Sequence, residues 1–208
     1  FENNRPSKLF LHTIGEKVDR LLLHENDIEY DIELSKTTSN QYVVVTVESK
    51  DQNDISIINC STGEFELIFP QREKIVSSLD HFKNDDFFIS LHSSYDFQII
   101  KTGIGTKSMD TLYSSPKIID DFYLNKTRLL VTEYDMFDME MRLIDLDNGE
   151  NKVIEPQKGI NTLSLIKQEN DSDSLYFFAE SSVQPVQTFR LSLETGKYDL
   201  IEEEKFGY

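Results

Sequence analysis

The chain is short of several things at once. In 208 residues it has no tryptophan, one cysteine, eight glycines and five prolines, and only 21 Lys plus Arg against 38 Asp plus Glu. Each shortage excludes something. A lone cysteine, Cys60, cannot form an internal disulfide, which points to a reducing compartment. Scarce glycine and proline leave the turns to Asn, Asp and Ser, whose short polar side chains bond their own backbone. A formal net charge of -17 disfavours nucleic acid and anionic membrane surfaces, both of which need clustered Lys and Arg. No apolar run approaches the roughly 18 residues of a spanning helix, and the N-terminal "FENNRPSK" has no signal-peptide core. The expectation is a soluble, cytoplasmic chain that binds neither nucleic acid nor membrane, and whose field suits a cationic partner.

What is present is β-structure. Aromatic residues make up 11% of the chain, with 14 Phe and 9 Tyr, and short apolar runs alternate with polar turns throughout. They fall into ordered quartets. The first is "IEYDIELS", "QYVVVTVES", "DISIINC", "EFELIF"; the second is "KIVSSLDHF", "DDFFISLHS", "DFQIIKT", "DTLYSS". The third is "KIIDDFYL", "TRLLVTEY", "EMRLIDL", "NKVIE", and the fourth is "INTLSLIK", "SLYFFAES", "TFRLSLE", "KYDLI". The second run of each quartet is the most apolar, and the third tends to lead into a turn such as "CSTGE", "DNGE" or "ETGK". Quartets start at Ile28, Ile75, Ile118 and Ile160, so successive units begin 47, 43 and 42 residues apart. Four-stranded units at that period are the signature of propeller blades, each of which needs neighbours to bury its two faces.

Two further runs, "KLFLHTIG" and "RLLLHE", precede the first quartet and read as the last two strands of another unit. The expected fold is therefore an all-β propeller fragment of about four and a half four-stranded antiparallel blades. The expected divisions are a half blade at 1–26, blades at 27–72, 73–115 and 116–158, and a blade with the start of a linker at 159–208. Open sheet edges in such a fragment predict self-association.

Signals for chemistry are few. There is no GxSxG elbow, no HExxH, no Walker sequence and no GxGxxG. "TGIGTKS" lacks the upstream glycine and the Gly-Lys-Ser/Thr ending of a phosphate loop. His12, His24, His81 and His92 are scattered without metal spacing, and His81 follows Asp80 along a strand, where neighbours point to opposite faces. Met136, Met139 and Met141 read as core-filling residues of a blade connection. "NCS" at Asn59 and "NKT" at Asn125 match the glycosylation pattern but carry little weight without a secretion signal. No metal, cofactor or catalytic residue is expected. The one candidate set is acidic: Asp31, Asp80, Asp120 and Asp121 fall on the first strand of their units, which in a propeller lines the central channel. Which of them face the channel depends on strand phase.

Several stretches resemble a known family. "KLFLHTIG", "LLLHENDIEYDIELSKTTSNQYVVVTVES", "LIFPQREKIVSSLDHFKNDDFFISLHSS" and "YFFAESSVQPVQTFRLSLETGKYDLI" are similar to the propeller of the oligopeptidase B (protease II) branch of the prolyl oligopeptidase family of serine peptidases. "LSKTTSNQYVVV" and "SLDHF" are the more specific of these matches. The sequence departs from the pattern after the proline, where a basic pair is only "QR", and at "SSVQP" in place of "SMTTP". The resemblance implies a seven-bladed propeller beside an α/β-hydrolase domain, with the propeller admitting short peptides that are cleaved after Lys or Arg. It also implies that the catalytic triad lies in the covalently attached hydrolase domain, so that this chain alone is inert. The rival reading is a stand-alone propeller acting as a protein-interaction platform.

Overall fold

The computed structural model describes residues 5–50, 52–71, 77–82, 86–92, 96–103, 109–125, 127–136, 139–156, 160–167, 172–182 and 184–204. Among them every regular element is a strand. The chain divides into two compact units, residues 1–94 with 100–110 and residues 95–99 with 111–208.

The first unit opens with β1 (Lys8–Leu11) and β2 (Arg20–His24), an antiparallel pair forming a two-stranded sheet. A four-stranded antiparallel sheet follows: β3 (Asp31–Lys36), β4 (Tyr42–Glu48), β5 (Asn53–Asn59) and β6 (Phe65–Gln71), hydrogen-bonded in chain order. The next sheet has the same meander, with β7 (Ser77–His81), β8 (Asp86–His92), β9 (Phe97–Gly103) and β10 (Met109–Ser115). The division between the units passes through β9 and β10. Ile75, where the second quartet was expected to start, lies outside the described residues, as does most of "TGIGTKS".

The valine run of β4 shows why this part of the chain is so apolar. Tyr42, Val44, Ile55 and Ile57 pack on one side with Leu79, Phe87, Ile89 and Ile100. Val45 and Val47, with Tyr30, Ile32 and Ile58, pack on the other side against Leu9, Leu22 and Leu23 of β1 and β2. A sheet covered on both faces has no solvent side, so alternation is not required of it.

The second unit holds β11 (Ile118–Asn125), β12 (Arg128–Tyr134), β13 (Met139–Asp145) and β14 (Asn151–Ile154) in one sheet. The other sheet is β15 (Thr162–Ile166), β16 (Ser174–Glu180), β17 (Gln187–Ser192) and β18 (Tyr198–Glu203). One core joins them: Tyr123, Leu130, Met141, Leu143 and Ile154 pack against Leu163, Leu175, Phe177, Phe189 and Leu191. Phe177 and Phe189 stack at 5.1 Å between ring centroids, and Tyr198 meets both edge-on. β16 alternates between buried and accessible residues, whereas β12 is buried along nearly all its length. The sequences agree, since "LYFFAE" carries polar or exposed groups at every second place and "RLLVT" does not.

The hairpins between third and fourth strands repeat one design. Gly63, Gly149 and Gly196 have φ of 68, 75 and 65°, and each donates its N–H at 2.8 Å to the carbonyl four residues earlier, on Asn59, Asp145 and Ser192. The side chains of those three residues in turn accept backbone N–H groups of the turn. This is the physical content of "CSTGE", "DNGE" and "ETGK": an Asx or Ser turn closed by a residue for which the left-handed region costs nothing.

Candidate functional site

The four candidate acids have separate fates. Asp31 is exposed at the start of β3, where its cross-strand partner is Glu48. Burial, then the charges of Glu33 and Asp31, push the Glu48 carboxyl above its usual range. Like charges facing each other across a strand pair are unfavourable, so this end of the sheet carries an uncompensated negative field.

Asp80 is buried, 7% exposed. One oxygen accepts the Thr38 N–H at 2.7 Å and the His81 N–H at 2.8 Å, while the other accepts the Thr38 hydroxyl at 2.6 Å. His81 is buried beside it, with Nδ1 2.7 Å from the Ser39 hydroxyl, its carbonyl accepting the Ser39 N–H, and its ring edge-on to Tyr42. "LDH" therefore grips the "KTTS" turn of the preceding sheet. Asp80 and His81, adjacent on β7, both end on one turn.

Asp120 and Asp121 are adjacent yet differently placed, and a β-bulge explains why. β11 pairs with β12 through Ile119↔Glu133 and then Asp121↔Thr132, so Asp120 is the extra residue with no partner across the strand. A bulge re-aims side chains and changes the strand phase. Asp121 is half-buried and bridged to Lys167 Nζ at 2.7 Å, with that ammonium also 5.3 Å from the centre of the Phe122 ring. Asp120 is exposed and has no hydrogen-bond or ion-pair partner among the described residues. Partial burial, then the neighbouring Asp121 charge, raise its pKa.

Asp120 faces a cleft of about 410 Å³ in the second unit. Its walls are Tyr134, Met136 and Met139 from the β12–β13 connection, and Ile160, Thr162 and Ser164 from the approach to β15 and β15 itself, with Asp135 as a second carboxylate. Met141 is core, at 0% exposed, and the half-buried Met139 packs against that core while lining the cleft; Met136 is 86% exposed. The expectation that all three fill the core is corrected for Met136 alone.

Behind the cleft lies a buried charge network that the sequence did not reveal. Glu133 accepts the Tyr113 hydroxyl at 2.7 Å and Arg142 Nε at 2.9 Å, and Arg142 also bridges Glu140. Lys117 Nζ stands 3.0 Å from Glu140 and 3.7 Å from Asp135. Burial works to raise the Glu133 pKa, but hydrogen bonds from Ser115, Tyr113 and Arg142 outweigh it and hold the carboxyl below its usual range. Burial, then the bond to Glu133, push the Tyr113 phenol up to about 12. Every member is matched, so this network fixes β10, β12 and β13 relative to one another and leaves Asp120 as the open charge of the cleft. Strand pairing across three elements is needed to assemble it, which no local motif records.

Neither glycosylation pattern gains support as a surface acceptor. Asn125 is 2% exposed with its amide donating to the Ser172 carbonyl, and the Asn59 side-chain oxygen is committed to the N–H groups of Ser61 and Thr62. Among the described residues no three His, Cys, Asp or Glu side chains cluster as metal ligands, and no helix is long and apolar enough to cross a membrane.

Comparison with known proteins places this geometry. The chain is 22% identical over 209 aligned residues to Protease 2 of Moraxella lacunata, an alignment covering 97% of this chain and 30% of that protein. Its backbone matches oligopeptidase B from Leishmania major with a TM-score of 0.82 and oligopeptidase B from Trypanosoma brucei, solved with covalently bound antipain, with 0.79. Both are 12% identical, with 97% of this chain and 31% of theirs aligned. The chain thus spans about 30% of the length of the relatives it matches. The family model for the prolyl oligopeptidase N-terminal β-propeller domain matches residues 2–204, and the chain belongs to that family.

Proposed function

We propose that the chain is the non-catalytic propeller portion of an oligopeptidase-B-like serine endopeptidase, cytoplasmic, and that it restricts access so that short peptides reach an α/β-hydrolase domain. Peptides with Lys or Arg are the substrates this reading favours, and cleavage after those residues is the work of the hydrolase domain. The observation that carries the basic preference is Asp120: an exposed carboxylate, presented by a bulge, with no partner among the described residues, at the edge of a cleft walled by thioether and aromatic groups. Lys and Arg are amphipathic, so a methylene stem can lie on Met136, Met139 and Tyr134 while the charged head meets Asp120. With -17 net charge behind it, the field draws cations in before any contact forms. Exclusion of folded proteins needs no reactive residue in the chain, only narrow access.

Fluorescence anisotropy with a labelled short Arg-containing peptide tests the reading. The peptide should bind the purified chain weakly and with marked salt dependence. Its citrulline analogue, the same shape without the charge, should bind less well. Asp120→Asn should weaken binding of the Arg peptide by about two- to fivefold, the size of one screened ion contact. Equal affinity for the two peptides, or no effect of Asp120→Asn, would overturn it.

A further inference from the structure

The three glycine hairpins are alike in backbone but not in cover or in sequence. Over the first, Arg20 of β2 donates to the Gly63 carbonyl, and a Cβ added to Gly63 would stand 2.9 Å from Leu11. Over the third, Lys152 of β14 donates to the Thr195 carbonyl at 2.5 Å, and a Cβ on Gly196 would stand 3.1–3.3 Å from the Lys152 side chain. In both cases a cation on the last strand of the preceding sheet holds the hairpin 43 residues further along. Gly149 has no such cover, since nothing lies within 4 Å of an added Cβ. The residues before the glycines are Thr62, Asn148 and Thr195, so the one uncovered hairpin is also the one that reads Asn-Gly.

We propose that Asn148 is a site of spontaneous deamidation. The Gly149 backbone nitrogen loses its proton and attacks Asn148 Cγ, forming a C–N bond, while the Cγ–Nδ2 bond breaks and the amide leaves as ammonia. The resulting five-membered imide takes up one water at either carbonyl and opens to an aspartyl or an isoaspartyl residue. Glycine permits the close approach because no side chain stands between nitrogen and Cγ. Three bonds oppose it in the closed turn: Gly149 N–H to the Asp145 carbonyl at 2.8 Å, Asn148 N–H to Asp145 Oδ1 at 3.3 Å, and Glu150 N–H to Asn148 Oδ1 at 2.8 Å. The rate is therefore set by local opening. Opening is easy here, because residues 147–153 are all exposed and β14 is only four residues long. The product adds a negative charge beside Asp145, Asp147 and Glu150. In the isoaspartyl form it also lengthens the backbone and displaces Gly149 N–H from Asp145, loosening the Ile144↔Asn151 pairing that the turn fixes.

The test is to age the intact chain at mildly alkaline pH and digest it with trypsin. The peptide Leu143–Lys152 is then followed for conversion of amide to acid, and isoaspartyl groups are mapped with an isoaspartyl O-methyltransferase and labelled methyl donor. The same chain held in urea gives the rate of the open turn. Conversion at Asn148 in the folded chain should proceed within about thirtyfold of the unfolded rate, the penalty of a surface turn that opens locally. Asn148→Thr, the residue its two sister turns carry, should keep the melting temperature and lose the label. A folded-state rate more than about thirtyfold below the unfolded one, or a label that survives Asn148→Thr in this peptide, overturns the proposal.

Discussion

Replacing Asp80 by alanine removes one carboxylate and leaves three donors without their acceptor: the Thr38 N–H, the Thr38 hydroxyl and the His81 N–H. A hydrogen bond to a charged group contributes about 1.5–3 kcal/mol, and a buried donor stripped of its partner costs more than the bond was worth. Three such bonds do not add, because Thr38 relaxes as one body and water reaches part of the turn, so the loss is set at roughly 3–4 kcal/mol. At this chain length each kcal/mol moves the melting temperature by about 2–4 °C, so the variant should melt about 6–16 °C lower. Urea unfolding followed by tyrosine fluorescence gives the free energy, and the cycle of Asp80→Ala, Thr38→Val and the double variant gives the coupling. It should lie between about 1 and 3 kcal/mol. Asp80→Asn should retain part of the loss, because an amide offers one acceptor where the turn presents three donors. If Asp80→Ala costs less than about 0.5 kcal/mol, the size of an ordinary surface substitution, the carboxylate does not fasten the turn and Asp80 returns to the set of free acids.

The turns and the charge pairs carry expectations of their own. Gly149→Ala should cost about 1 kcal/mol for its left-handed backbone alone, with Gly63→Ala and Gly196→Ala costing more because Leu11 and Lys152 must also move; chemical unfolding of the three variants gives the order. The charge pairs act through pH. Tyr113 has its folded pKa raised from 10.0 to about 12, so stability should fall as pH rises from about 10 to about 12, and Tyr113→Phe should remove that slope. Glu133, held below its ordinary 4.5, contributes stability above that pH which is lost on acidification. Asp120 has the opposite sign: with its folded pKa raised, its ionised form costs stability at neutral pH. Asp120→Asn should therefore stabilise the chain by a few tenths of a kcal/mol, about the value of one screened surface charge, while weakening peptide binding.

That last pairing bears on what the sequence could and could not show. All eighteen strands among the described residues sit in segments whose apolar runs and turn residues mark them, because a strand buried on one or both faces must record that burial locally. The glycine hairpins were legible for the same reason, each being an Asx or Ser turn closed at a fixed distance. The four acids were not separable, because two long-range facts sort them. Asp80 is fastened by Thr38, 42 residues earlier, so "SKTTS" and "SLDH" are the two halves of one contact. That contact is packing between sheets, and no local pattern in either stretch records it. Asp120 and Asp121 part company only because β11 gains a residue against β12, and a bulge leaves no trace in a pattern of "IIDD". A carboxylate that lowers stability where it stands is held there by the bulge rather than by any contact of its own. Residues that break local rules without structural return tend to sit where function uses them. On that ground Asp120, the one of the four that a bulge presents to a cleft, is the residue on which a binding experiment should begin.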